Sequence, residues 1–322
     1  MRDQLVADVL AKSIWADWTR TPITGDASSR RYFRLRKASE ADIIVMDDPS
    51  RTTAKFAEIA TFLTLSGFAA PEIYLHDPKL GIMVIEDLGP NDFAAHLHNE
   101  PNGEALLYKV ATQTLCYLNN QKTDLELGAI DAYTAPTMIN LAALHYAPDP
   151  SCENALCDAM QSAFQAQVDP SPHLALRDFH AENLIWRPEQ KGLGRVGLLD
   201  FQDACYAPAG YDLMSLIRDA RRDVDKKIAL DCITQFCEAT DRNPQEFSAH
   251  LACISAQRNL RILGIFARLS KQDGKTKYLS FLPRVWDHLM TDLSHPALFE
   301  LQSTVAQHLP PPNAETLQRL QS

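Results

Sequence analysis

Several features are missing from this 322-residue chain, and each absence excludes something. No apolar stretch approaches the ~20 residues a helix needs to cross a bilayer. The opening segment MRDQLVADVLAKSIWADW is interrupted by Asp3, Asp8, Lys12 and Asp17, so it lacks the unbroken apolar core of a signal peptide. The seven cysteines are odd in number, form no CxxC pair and share no zinc spacing with histidine. Neither a disulfide framework nor a structural metal site is expected, and scattered reduced thiols suit a cytoplasmic protein. Excess positive charge is also missing: the formal net charge is -10. Such a chain has no general attraction for nucleic acid or anionic membranes, and the run Arg30, Arg31, Arg34, Arg36, Lys37 is the one candidate basic patch. Internal repeats and low-complexity segments are absent, and no nucleic-acid, membrane or protein partner is expected.

What is present is a chain 46% hydrophobic, ample for a core, with two textures. Leu5 and Val9, continued by Lys12 or Ile14, place an amphipathic helix at the start. The segment TPITGDASSRRYFRLR reads as strand, polar turn and alternating strand, and ADIIVMDDP as a short buried strand stopped by Asp47, Asp48 and Pro49. Phe56, Ile59, Ala60 and Leu63 form a helical stripe, capped by Thr52 or Thr53 and ended by Gly67. Two more strands follow, PEIYLHD and GIMVIEDLG, giving the order β-β-β-α-β-β over residues 20–90. Beyond Glu86–Pro90 the texture is helical, except for a short polar hairpin around Leu184–Trp186 and Val196–Leu199. The expected class is α+β, with a small antiparallel-sheet lobe over 1–88 and a larger, mostly helical lobe over 89–322.

The informative segment is Leu176-Arg177-Asp178-Phe179-His180-Ala181-Glu182-Asn183, followed by Leu198-Leu199-Asp200-Phe201-Gln202-Asp203. Phosphoryl transfer from ATP needs a carboxylate at the acceptor hydroxyl and hard oxygen ligands for magnesium on the phosphates. Asp178, Asn183 and Asp200, in that order and with Asp200 ending an apolar strand, supply those residue types. The pattern resembles the kinase catalytic loop H-R-D-x-x-x-x-N followed by D-F-G. In its R-D-x-H-x-x-N form it resembles the aminoglycoside phosphotransferase and choline kinase family. GDASSRRYFRL, IIVMDDP, VIEDLG, LRDFHAENL and LLDFQDA together resemble, more narrowly, the bacterial anomeric N-acetylmuramate/N-acetylglucosamine kinases of cell-wall recycling.

The resemblance implies a protein-kinase-like bilobal fold, ATP and Mg2+ as cofactors, and an amino-sugar acceptor phosphorylated at its anomeric hydroxyl. It implies Asp178 as catalytic base and Asn183 and Asp200 as metal ligands. His180 would order the loop, where the alternative is an ordinary structural imidazole, and Asp212 would brace the loop through backbone N–H groups. On the nucleotide side it implies Ser28 and Ser29 at the phosphates and backbone groups around Glu86 and Leu88 at the adenine. Three departures stand out. Met46 occupies the place of the strand lysine, which leaves Glu58 without its usual partner, and Arg31 or Arg34 is the candidate replacement charge. Leu176 and Gln202 replace the histidine of H-R-D and the glycine of D-F-G. Two other readings stay open: a phosphotransferase for an antibiotic, choline-like or homoserine-like acceptor, and a nucleotide-binding pseudokinase without catalysis. Asp219, Asp223 and Asp225 interleave with Arg218, Arg221 and Arg222, a pattern that reads first as a solvated helix face.

Overall fold

The computed structural model describes residues 2–23 and 30–321. The strands are β1 (Thr19–Ile23), β2 (Arg31–Arg36), β3 (Ile43–Asp47), β4 (Ile73–Asp77), β5 (Ile82–Glu86), β6 (Pro172–Ala175), β7 (Leu184–Trp186), β8 (Val196–Leu198) and β9 (Cys205–Pro208). The helices are α1 (Arg2–Ala11), α2 (Thr53–Leu65), α3 (Phe93–Asn99), α4 (Glu104–Asn119), α5 (Thr134–Met138), α6 (Glu153–Gln167), α7 (Tyr211–Ile217), α8 (Lys226–Ala239), α9 (Pro244–Asp273), α10 (Leu282–Leu293), α11 (Phe299–His308) and α12 (Ala314–Arg319). The chain divides into two compact units, one of Met1–Gly103 with Glu182–Asp203, the other of Glu104–Ala181 with Ala204–Ser322.

The first unit is built on a five-stranded antiparallel sheet of order β1-β2-β3-β5-β4. The expected order β-β-β-α-β-β is present. Strand alternation gives the sheet two faces. Phe33, Leu35, Ile43, Val45, Ile82 and Val84 pack with Val6, Leu10 and Trp15 from the N-terminal segment. That helix turns its Val6/Leu10 stripe inward, and Leu5 and Val9 flank it. It stops at Ala11, so Ile14 is 82% exposed and does not extend the stripe. On α2 all four expected stripe residues, Phe56, Ile59, Ala60 and Leu63, are buried. Thr52 is the N-cap residue, but its hydroxyl bonds Asp48 (2.8 Å) rather than the helix. β3 ends where expected, at Asp47 before Asp48 and Pro49. Asp47 is fully buried, because Arg2 and Arg31 neutralise it. The β7–β8 hairpin belongs to this unit: Leu198 N–H donates to Ala69 C=O (2.8 Å) and Trp186 N–H to Asn91 C=O (2.8 Å).

The second unit is helical, with one small two-stranded sheet of β6 and β9. Its longest element, α9, contains Gly264. A Cβ there would lie 2.2 Å from the Leu141 carbonyl carbon, so the residue is the condition for that close backbone crossing. Gly210, at φ +80°, sits where a Cβ would press on Leu251 at 2.7 Å and starts α7, which carries Asp212. Among the described residues no helix is long and apolar enough to cross a membrane.

Candidate active site

In the first unit, the sheet face opposite α1 opens into a cavity of about 360 Å³. Tyr32 and Arg34 from β2, Ile44 from β3, Ile85 from β5 and Phe56 from α2 line it, with Glu86, Asp87, Leu88 and Gly89 along one edge. The hairpin contributes Asn183, Ile185, Leu199 and Asp200. An apolar box with a few polar groups at its rim is the usual form of a small-molecule site. Asn183 and Asp200 are brought together here because the hairpin pairs Leu184 with Leu198, and Leu199 N–H donates to Asn183 C=O at 3.0 Å. Asp200 is exposed and has a left-handed backbone, φ +56°. Its carboxylate accepts from Gln202 at 2.8 Å, and Phe201 beyond it stacks on Phe56 at 4.8 Å. Burial pushes the Tyr32 hydroxyl pKa up; Arg30 opposes that and Asp200 adds to it.

The other nucleotide-side expectations divide. Ser28 and Ser29 lie outside the described residues. Leu88 is buried at the cavity wall. The Glu86 side chain turns to Arg187 (3.1 Å) and to the Glu72 N–H (3.3 Å), which leaves its backbone at the cavity edge. Of the two candidate arginines, Arg34 lines the cavity and pairs with Asp87, whereas Arg31 is committed to Asp47 (3.0 Å) and Asp3 (3.0 Å) and is not among the lining residues. Met46 is fully buried and Glu58 is exposed. The expected basic patch is neutralised residue by residue: Arg30 by Asp48, Arg31 by Asp47, Arg34 by Asp87, Arg36 by Asp42 and Lys37 by Asp17. Although burial opposes it, hydrogen bonds from Ser50 and Thr52 with the charge of Arg30 hold Asp48 at a pKa of about 2.

In the second unit, the strand β6 runs into the Asp178 loop. Arg177, immediately before Asp178, has φ +71°, a conformation that costs a non-glycine residue about 1–2 kcal/mol. Its peptide groups are gripped on both sides. Asp212 accepts the N–H groups of Leu176 (2.6 Å) and Arg177 (2.9 Å). The Arg177 carbonyl accepts from Ser215 Oγ (3.0 Å) and Arg258 Nη1 (3.1 Å), and Arg258 also donates to Ser215 (2.6 Å). Burial raises the Asp212 pKa to about 6, against the pull of those N–H groups and Arg258. His180 is 7% exposed, and burial, with Arg221 and Arg258, keeps its imidazole pKa well below the ordinary value. The imidazole is therefore neutral in the fold at physiological pH.

Ser215 and Arg258 were not legible beforehand. Ser215 lies one helical turn beyond Asp212, which is the only signal it carried. The presumed solvated face beyond it is a network instead. Asp219 is 2% exposed and accepts the Arg221 N–H at 2.8 Å. Arg218 pairs with buried Asp292 (3.1 Å), Arg222 with Glu104 (2.9 Å), and Asp223 with Arg284 (2.7 Å).

Residues 19–247 match the family profile described as the phosphotransferase enzyme family. The N-acetylmuramate/N-acetylglucosamine kinase of Caulobacter vibrioides is 32% identical, over 96% of this chain and 97% of its own length. The protein of the same name from Neisseria meningitidis is 30% identical over 85% of each. Among solved structures, a choline/ethanolamine kinase family protein from Mesorhizobium loti has the same fold, with a TM-score of 0.65 at 14% identity over 95% of this chain and 100% of that one. The chain belongs to the phosphotransferase enzyme family.

Proposed function

We propose that this phosphotransferase uses ATP to phosphorylate the anomeric C1 hydroxyl of N-acetylmuramate and N-acetylglucosamine, in the cytoplasm, as a step in reuse of cell-wall sugars. The observation that carries the reading is 30–32% identity, spanning most of both chains, to two kinases named for those sugars. The alternative acceptors, antibiotics, choline or homoserine, draw only on structural likeness at 14% identity, which speaks to fold alone.

The roles divide by chemistry. The 360 Å³ cavity suits an adenine, with backbone groups around Glu86 and Leu88 at its edge. Asn183 and Asp200 offer one amide and one carboxylate oxygen donor on the same cavity. No group of three or more His, Cys, Asp or Glu among the described residues forms a metal cage of its own. Two hard ligands short of a full shell fit magnesium, which keeps phosphate oxygens and waters as its other ligands. When bound, the ion neutralises charge on the transferring phosphate. Arg34 is the strand arginine placed to stand in for the missing lysine. Asp178 orients the acceptor hydroxyl and takes its proton; Asp212, Ser215 and Arg258 hold the backbone from which Asp178 projects, so its position is set before substrate arrives. The pseudokinase reading, motivated by the missing strand lysine, loses ground because Asp178, Asn183 and Asp200 are all present.

Incubation with Mg-ATP and each sugar, followed by mass spectrometry and phosphorus NMR, should yield ADP and an α-1-phosphate. ADP formed only with a different acceptor would overturn the substrate assignment, and nucleotide binding without ADP would return the pseudokinase.

A further inference from the structure

Arg261, in the second unit, makes no hydrogen bond or ion pair among the described residues. Arg261 lies three residues beyond Arg258 on α9, hence on the same side of that helix. Arg258 is fully used: it bonds the Arg177 carbonyl and Ser215, and its guanidinium stacks over the Tyr211 ring at 4.7 Å. Arg261 is half-buried, yet among the described residues no hydrogen bond or ion pair satisfies its guanidinium. Beside it, Tyr211 is 1% exposed and its hydroxyl is also without a partner among the described residues. Burial lowers the Arg261 pKa; Tyr211 and Asp178 raise it, Arg177 and Arg258 lower it, so all four stand within electrostatic reach. The guanidinium nevertheless remains charged at any physiological pH.

Charges removed from water are normally paired. A half-buried guanidinium with five donors and no acceptor among the described residues, one helical turn from the Arg258 that bonds the Arg177 carbonyl, has the donors for an anion. The two sugars of the proposed reaction differ by one such group. N-acetylmuramate carries a lactyl ether ending in a carboxylate, and N-acetylglucosamine has a neutral hydroxyl at that carbon. Arg34, the other half-buried arginine of interest, already has Asp87.

We propose that Arg261 is the specificity residue for the acidic acceptor, its guanidinium receiving the lactyl carboxylate of N-acetylmuramate. This rests on the sugar-kinase reading above. The neutral sugar binds without using Arg261.

The test is kcat/KM for both sugars in the unaltered chain, Arg261→Gln and Arg261→Lys. The Gln variant should lose about 10–100-fold more on N-acetylmuramate than on N-acetylglucosamine, mainly through KM, the range expected for a charge-assisted hydrogen bond. The Lys variant should recover part of that difference. Equal losses on both sugars, a rise confined to the KM for ATP, or no loss would each overturn the proposal. A second measurement needs no variant: the methyl ester of N-acetylmuramate, offered to the unaltered chain, should show the same discrimination, and an ester used as well as the free acid overturns it. If the unaltered chain phosphorylates neither sugar, it is the function that fails.

Discussion

The two units treat their working residues in opposite ways. In the first, Asp200 is exposed, its carboxylate held among the described residues by Gln202, at the edge of a cavity walled mainly by apolar side chains. In the second, the loop before Asp178 is tied through four hydrogen bonds to Asp212, Ser215 and Arg258. Each loop contains a left-handed non-glycine residue, Asp200 at +56° and Arg177 at +71°, but only Arg177 has both of its peptide neighbours gripped by buried side chains. The difference matches the tasks proposed for them. Metal ligands must stay available for an ion that arrives with its nucleotide, whereas a residue that orients a hydroxyl gains from a fixed backbone.

The strongest way to break this contrast is Asp178→Asn. Turnover should fall by roughly 10²–10⁴ while affinity for an ATP analogue, measured by calorimetry, stays within about threefold. Near-normal turnover, or lost nucleotide affinity, would end the division of roles. Asp212→Ala comes next. It leaves two buried N–H groups without an acceptor, at about 1–3 kcal/mol each, and frees the strained Arg177 backbone. Denaturation should show about 2–5 kcal/mol of lost stability, and turnover should fall more than nucleotide affinity. A variant as stable and active as the parent would mean the brace is idle.

Acid should sharpen the contrast. His250 is buried, its Nδ1 accepting the Asp169 N–H (3.1 Å) and its Nε2 donating to Ala209 C=O (2.8 Å), and burial lowers its pKa to about 4. That lies below the unfolded value of about 6.5, so its contribution is complete above 6.5 and is lost as pH falls towards 4. Between pH 7 and pH 5 the second unit should lose about 2 kcal/mol through this group, and His250→Gln should lose less over the same interval. In the first unit Asp48, at about 2, keeps its contribution until the pH drops below 3.8. Hydrogen exchange of the unaltered chain and His250→Gln at the two pH values reads this group's share, because the raised pKa of Asp212 works in the opposite direction in the same unit.

The smallest effect separates two arginines. Arg34→Met should raise the KM for ATP about tenfold, a single charge-assisted contact, while Arg31→Gln changes stability rather than KM. The reverse result would return Arg31 to the nucleotide.

Much of this was legible in sequence because it depends on local chemistry. The period of Phe56, Ile59, Ala60 and Leu63 declared a helix with one apolar face, and all four are buried. The alternation of Arg31-Tyr32-Phe33-Arg34-Leu35 declared a strand, and the spacing of Asp178, Asn183 and Asp200 declared a chemistry. Alternation also implies that Arg31 and Arg34 point to opposite faces, but it cannot say which face is the cavity. That was decided when α1 covered the Phe33 and Leu35 side. The residues that grip the Asp178 loop were hidden for a related reason. Ser215 and Arg258 have no local pattern to set them apart from surface polar residues, and the Arg177 carbonyl they bond lies tens of residues away. Local spacing thus determined which elements form and which residues are the candidates for the reaction, because those follow from nearest neighbours along the chain. Tertiary structure alone decided which charges are neutralised and which are buried, because electrostatic partners are chosen in space.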